Sequence, residues 1–128
     1  MKIWFDMDGT IADLYGVENW LDYLLAEDAT PYKVARPLLN LSLLARYLNR
    51  LQKEGYEIGI ISWGAKNSTK RYLGKVTFAK LNWLDKHLAS VRWDVIKIVP
   101  YGTDKAMACG DGILFATCCG YSQKWRRH

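Results

Sequence analysis

Two carboxylates follow directly on a short apolar run. Ile3, Trp4 and Phe5 lead into Asp6, Met7 and Asp8, with Gly9 and Thr10 behind them. The run reads as a buried strand. If the chain stays extended to Asp8, period-two alternation puts both carboxylates on one side of the backbone. Gly9 then allows a sharp turn. Two acids at the carboxyl end of a buried strand repel one another, and burial penalises their ionised forms. A bound cation, or work as nucleophile and acid/base, would account for the pair.

The elements that must position them are legible along the chain. Residues 2–6 form the first strand. Thr10 to Gly16 is a loop or helix entry, and Asp13 there reads as a loop or helix-entry residue. Val17, Trp20, Leu21, Leu24 and Leu25 recur at helical spacing. Ala29 to Tyr32 reads as a break, and Arg36-Pro37 as a break or helix entry. From Leu38 to Glu54 the period is helical, with Leu41, Leu44, Leu48 and Leu51 on one face and Gly55 as a left-handed stop. Tyr56 to Ser62 is a second apolar strand. Asn67, Ser68 and Thr69 offer an N-cap for a helical region reaching Leu88, with Val76, Ala79, Leu84 and Leu88 as its buried stripe. Asp94 to Val99 is a third strand, Thr103 to Cys109 one short helical turn, and Gly112 to Phe115 a fourth apolar run. The alternation predicts an α/β domain with a parallel sheet of about four strands. Ligands of such sheets sit beyond the carboxyl ends of the strands. The residues to watch are therefore Asp6, Asp8, Ser62 and the loop from Pro100 to Lys105.

Composition sets the bounds. The chain has 128 residues, half of them hydrophobic, enough for one domain with a real core. No run of about 18 apolar residues occurs, so no membrane span is expected. The first residues enter a strand without a basic region and apolar signal core, so no secretory signal is expected. Cys109, Cys118 and Cys119 make neither an even disulfide framework nor a zinc-ligand spacing. A reducing, cytoplasmic location is the expectation. The net charge is +5, yet residues 1–115 carry 15 basic and 13 acidic groups. The excess is thus partly a tail of Lys124, Arg126 and Arg127, which argues against nucleic acid as a partner.

Asp6-Met-Asp-Gly-Thr10 after an apolar strand resembles motif I of the haloacid dehalogenase superfamily of phosphotransferases. Ser62, ending Ile58-Gly-Ile-Ile-Ser62, is similar to its motif II, and Lys105 is a candidate for its motif III lysine. The resemblance covers residues 1–115. It implies a Rossmann-like three-layer sandwich, with a minimal cap within residues 11–55. It also implies a Mg²⁺-dependent phosphomonoester hydrolase working through an aspartyl-phosphate, on a nucleotide or another small phosphorylated metabolite. Asp6 would be the nucleophile and Asp8 the acid/base partner. Mg²⁺ would be held by the Asp6 carboxylate and the Asp8 backbone carbonyl. Lys105 would offset charge on the nucleophile and phosphoryl group. Thr10, Ser62 and Trp63 would contact substrate. Trp63 and Trp20 are candidates to stack on a ring, with packing as the alternative for each. Lys97 is a rival to Lys105 but lies within the third strand.

The departures matter as much. The superfamily's motif IV places acids after the fourth strand, whereas Ala116-Thr-Cys-Cys-Gly120 follows Phe115 here. Asp111 is the nearest carboxylate, but it precedes the run and falls at the wrong end of the sheet; it would join the metal site only if Gly110-Asp111-Gly112 is itself the strand-end loop. Residues 116–128 then read as a basic tail on a truncated or altered C-terminus. An incomplete sheet of this kind predicts an uncovered edge on the fourth strand and a route to homo-oligomers. A catalytically impaired relative that still binds phosphate or nucleotide is the alternative reading.

Overall fold

Side chains that are apolar on both faces put β1 (Lys2–Phe5) at the centre of the sheet. The computed structural model describes the backbone of residues 1–118 and 121–127 and the side chains of residues 1–115. β1 pairs in parallel with β4 (Glu57–Trp63) on one side and β6 (Ile113–Cys118) on the other. β4 pairs in parallel with β5 (Val95–Val99). The four expected strands thus form one parallel sheet, flanked by helices.

The expected open edge is absent. β7 (Tyr121–Arg127) runs antiparallel along β6, giving the order β5-β4-β1-β6-β7. The segment read as a basic tail therefore completes β6 and supplies a fifth strand. An antiparallel return needs only a two-residue connection, so it leaves no helical period in the sequence. An edge on β6 gives no route to oligomers in this arrangement.

Alternation along the strands sorts the core. Ile3, Phe5, Ile58 and Ile60 face α3 (Leu41–Lys53) and α4 (Lys70–His87), which bury Leu48, Leu51, Trp83 and Leu84 against them. Trp4, Ile61 and Leu114 face the other way, towards α5 (Lys105–Cys109) and its Cys109. Trp4 lies across Gly59, where an added Cβ would fall 2.8 Å from the indole ring. The expected stripe of α4 is buried throughout, and Thr69 provides its cap by accepting from the Tyr72 N–H. Gly55 follows α3 with φ of 98°, the left-handed stop its position predicts.

The insert after β1 is richer than the sequence suggests. β2 (Ala12–Asp13) and β3 (Arg36–Pro37) form a two-stranded antiparallel ladder. Between them lie a 3-10 turn at Leu14–Gly16, α1 (Trp20–Leu25) and α2 (Thr30–Val34). The stretch read as a break at Ala29 to Tyr32 is instead the start of α2. Pro31 sits in the first turn, where its missing N–H costs nothing. The helix expected from Val17 begins only at Trp20, because Asn19 is left-handed. Tyr32 and Ala29 pack with Tyr72, Val76 and Ala79 of α4, fixing the insert to the core. Among the described residues no helix is long and apolar enough to cross a membrane.

Candidate functional site

The strand order reverses between β1 and β6, and a crevice opens there beyond the carboxyl ends of the strands. Asp6 stands at that point. Its N–H donates to the Phe115 carbonyl at 3.0 Å, which continues the β1–β6 ladder one residue further. The side chain is buried, 5% exposed. Its Oδ1 accepts from the Met7 N–H at 2.9 Å and pairs with Lys105 Nζ at 2.9 Å. Burial pushes the carboxyl above its ordinary range, and the Lys105 ammonium opposes that shift without cancelling it. Lys105 is the first residue of α5, whose cap is Asp104, accepting from the Ala106 and Met107 N–H groups.

Asp8 is not on the strand. The Met7 carbonyl accepts from the N–H groups of Thr10, Ile11 and Ala12, so the chain turns directly after β1, with Gly9 at φ of 76°. Asp8 is brought back to the site by Lys80. The Lys80 ammonium lies 2.8 Å from Asp8 Oδ2, 2.6 Å from Ser62 Oγ and 2.6 Å from the Trp63 carbonyl oxygen. Lys80 is wholly buried, and its charge lies 5.1 Å from the centre of the Tyr32 ring. Three acceptors and an aromatic face are what a buried ammonium with three donors requires.

Lys80 was not singled out from the sequence. The signal was nevertheless present. Val76, Lys80 and Leu84 follow one another at i, i+4 and i+8, so a lysine stands in the stripe that α4 buries. A lysine at such a place needs an acid to meet it.

The other candidates separate clearly. Trp63 lines the crevice, its Nε1 donating to the Thr103 carbonyl at 2.8 Å, and Lys105 Nζ lies 4.3 Å from its ring centre. Trp20 also lines it, edge-on to Tyr15. Ser62 and Thr10, expected to contact substrate, are both buried and do not line the crevice. Asp13 accepts from the Gly16 N–H and belongs to its loop. Lys97 is on the opposite face of the sheet, over the Trp4 ring, and donates to the Ala108 carbonyl. Asp111 is exposed and precedes Ile113, the partner of Ile3, so it lies at the amino end of the sheet. The positions after Phe115 where an acid was sought have side chains outside the described residues, and none of them is acidic.

The crevice has a volume of about 510 Å³, and Asp6, Asp8 and Lys105 form its polar end. Lys66 and Asp104 also line the crevice, and the buried Lys80 stands behind Asp8, so three carboxylates and three ammonium groups balance formally. Among the described residues no three His, Cys, Asp or Glu side chains come together to hold a metal ion. No family model matches the chain, and no curated protein matches it.

Proposed function

We propose that the chain is a phosphomonoester hydrolase of the haloacid dehalogenase type. One observation carries the reading. A buried Asp6 at the end of the central strand is paired with Lys105 on one side, with an Asp8–Lys80–Ser62 cluster beside it. The Asp6 carboxylate attacks phosphorus, and the bond from phosphorus to the leaving oxygen breaks. Asp8 gives that oxygen its proton. Water then attacks the aspartyl-phosphate and passes a proton to Asp8. The bond from phosphorus to Asp6 breaks, releasing inorganic phosphate. Lys105 offsets the charge on the phosphoryl oxygens, and reactions of this kind depend mainly on such positioning and electrostatics.

The donor set fits Mg²⁺ in one particular way. Mg²⁺ keeps several waters and is often held by one or two carboxylates together with substrate phosphate. The Asp6 carboxylate would supply one such ligand and the Asp8 backbone carbonyl another, leaving the Asp8 carboxylate for proton transfer. Because the site is formally neutral, the cation is favoured most when a phosphate dianion enters. Bound, it would offset charge on the phosphoryl group.

The test is release of inorganic phosphate from p-nitrophenyl phosphate, with Mg²⁺ and with chelator. Turnover that needs Mg²⁺ and vanishes in Asp6→Asn is the expected result. Turnover that survives Asp6→Asn rules out the aspartyl-phosphate. Phosphate binding without turnover would support the alternative of a binding protein, which the absence of an acid after Phe115 favours.

A further inference from the structure

The outer face of α4 carries an apolar stripe that the fold leaves uncovered. The helix turns Tyr72, Val76, Ala79, Lys80, Trp83 and Leu84 inward. On its other side Lys70, Leu73, Gly74, Thr77, Phe78 and Leu81 line an open groove. Phe78 is 65% exposed and Leu81 40%. Asp85 lies one turn beyond Leu81 and is exposed too. Positions 70, 74, 77, 78, 81 and 85 recur at helical spacing, so they share one face over about four turns. Large exposed apolar groups gathered on one face mark a contact surface.

Gly74 gives the stripe its shape. Glycine is unfavourable in a helix interior, and packing within this chain does not call for it: a Cβ built there would meet nothing within 4 Å. Its missing side chain leaves a notch one turn from Phe78. The Thr77 hydroxyl donates to the Leu73 carbonyl at 2.8 Å, so the groove asks for no polar partner there. Lys70 and Asp85 stand at opposite ends of the stripe with opposite charges. Among the described residues neither takes part in an ion pair.

These features complement one another when the stripe is laid antiparallel on a copy of itself. A two-fold axis between Thr77 and Phe78 sets Lys70 against Asp85 of the other copy, Gly74 against its Leu81 and Thr77 against its Phe78. Each pairing then occurs twice. Leu81 fills the notch, opposite charges meet at both ends, and a shallow crossing of about 20° keeps the ends together. A parallel pairing would instead set Lys70 on Lys70 and Asp85 on Asp85. We propose that the outer face of α4 is the interface of a homodimer, closed by antiparallel pairing of the two α4 helices. The groove shares no residue with the crevice at Asp6, so the dimer leaves that site open and does not depend on its function.

Sedimentation velocity on the whole chain, over about 1 to 300 µM, tests the proposal. A monomer–dimer equilibrium that shifts with concentration is the expected result. Phe78→Glu should give a monomer throughout. Gly74→Leu should raise the thermal midpoint of the dilute protein, because the helix gains a better former with free space around it. The same change should weaken the dimer at least about tenfold by filling the notch. Lys70→Glu and Asp85→Lys should each weaken association by at least about threefold through like-charge contact, and the two together should restore it. Circular dichroism and urea midpoints check that each variant stays folded. A monomer at every concentration overturns the proposal, as does a dimer indifferent to Phe78→Glu. A dimer that the single reversals leave unchanged, or that the double reversal does not restore, overturns the antiparallel pairing on which the proposal stands.

Discussion

Lys80 Nζ and Asp8 Oδ2 are 2.8 Å apart although 72 positions separate the two residues in the chain. The pair joins the loop after the central strand to the buried face of α4. Lys80 is inaccessible to water, and the Asp8 side chain is 16% accessible. Buried ion pairs are costly to form and more costly to break from one side. This pair persists because Ser62 and the Trp63 carbonyl occupy the other two donors of the ammonium.

Removal of Lys80 is therefore expected to damage stability and activity together. Lys80→Met leaves a half-buried carboxylate without its cation, at a cost of about 3 kcal/mol in chemical denaturation. It also frees Asp8 to move, and misplacement of an acid/base group by about 1 Å costs roughly a hundredfold in rate. Lys80→Arg should not restore either property, since a planar fork does not fit three acceptors arranged around one nitrogen. A double-mutant cycle with Asp8→Asn checks the coupling. Losses that simply add would mean that Lys80 acts on something other than Asp8.

Lys105 should reveal itself in the pH profile. Burial raises the Asp6 pKa and Lys105 restrains the rise. Protonated Asp6 cannot attack, so kcat/KM should climb with pH as Asp6 ionises. In Lys105→Met the restraint is gone, Asp6 holds its proton to higher pH, and the acid limb should move upward. The plateau should also fall by about 10²–10³-fold, the usual cost of losing one electrostatic contact to developing charge. A limb that stays in place would assign it to another group.

The sheet was legible because its strands are short, apolar and bounded by polar residues. The strands read as Tyr56 to Ser62 and Asp94 to Val99 run from Glu57 to Trp63 and from Val95 to Val99, within one residue at each end. Asp6 stood out because a carboxylate directly after a buried strand needs a partner, and the structure places Lys105 2.9 Å from it. Lys80 and β7 were not read, for different physical reasons. Lys80 stands within the stripe read for α4, but its partners are distant in the chain, and only folding brings Asp8 and Ser62 to it. β7 is specified by backbone pairing with β6, which leaves no required period in the sequence. α2 was missed because Pro31 reads as a breaker everywhere except in a first helical turn.

Gly59 should tolerate no side chain. A Cβ there would lie 2.8 Å from Trp4 Cε3 and 2.9 Å from Val95 Cγ1. Both neighbours are packed, with Trp4 only 1% exposed. Gly59→Ala is expected to cost about 1–3 kcal/mol through overpacking, measured as a lower midpoint in urea with an unchanged slope. Trp4→Phe in the same background should recover part of the loss, by drawing the ring back from the strand. A neutral Gly59→Ala would mean that the indole does not lie over β4.

Asp6→Asn should stabilise the protein while abolishing turnover. The folded-state pKa of Asp6 is raised, so the folded chain holds this proton more tightly than the unfolded chain does. The associated stability is complete below the unfolded pKa, near about 4, and is lost as pH rises through the folded value. At neutral pH the ionised carboxylate is thus a cost that asparagine avoids, while the amide oxygen can still accept from Lys105. Asp6→Asn is expected to be more stable than the parent by about 1 kcal/mol at pH 7, with the gap closing as pH falls below about 4. Parallel denaturation curves at the two pH values give the comparison. A parent more stable than the variant at pH 7 would mean that the pairing with Lys105 outweighs burial, and that Asp6 is held by its cation more strongly than it is strained by its surroundings.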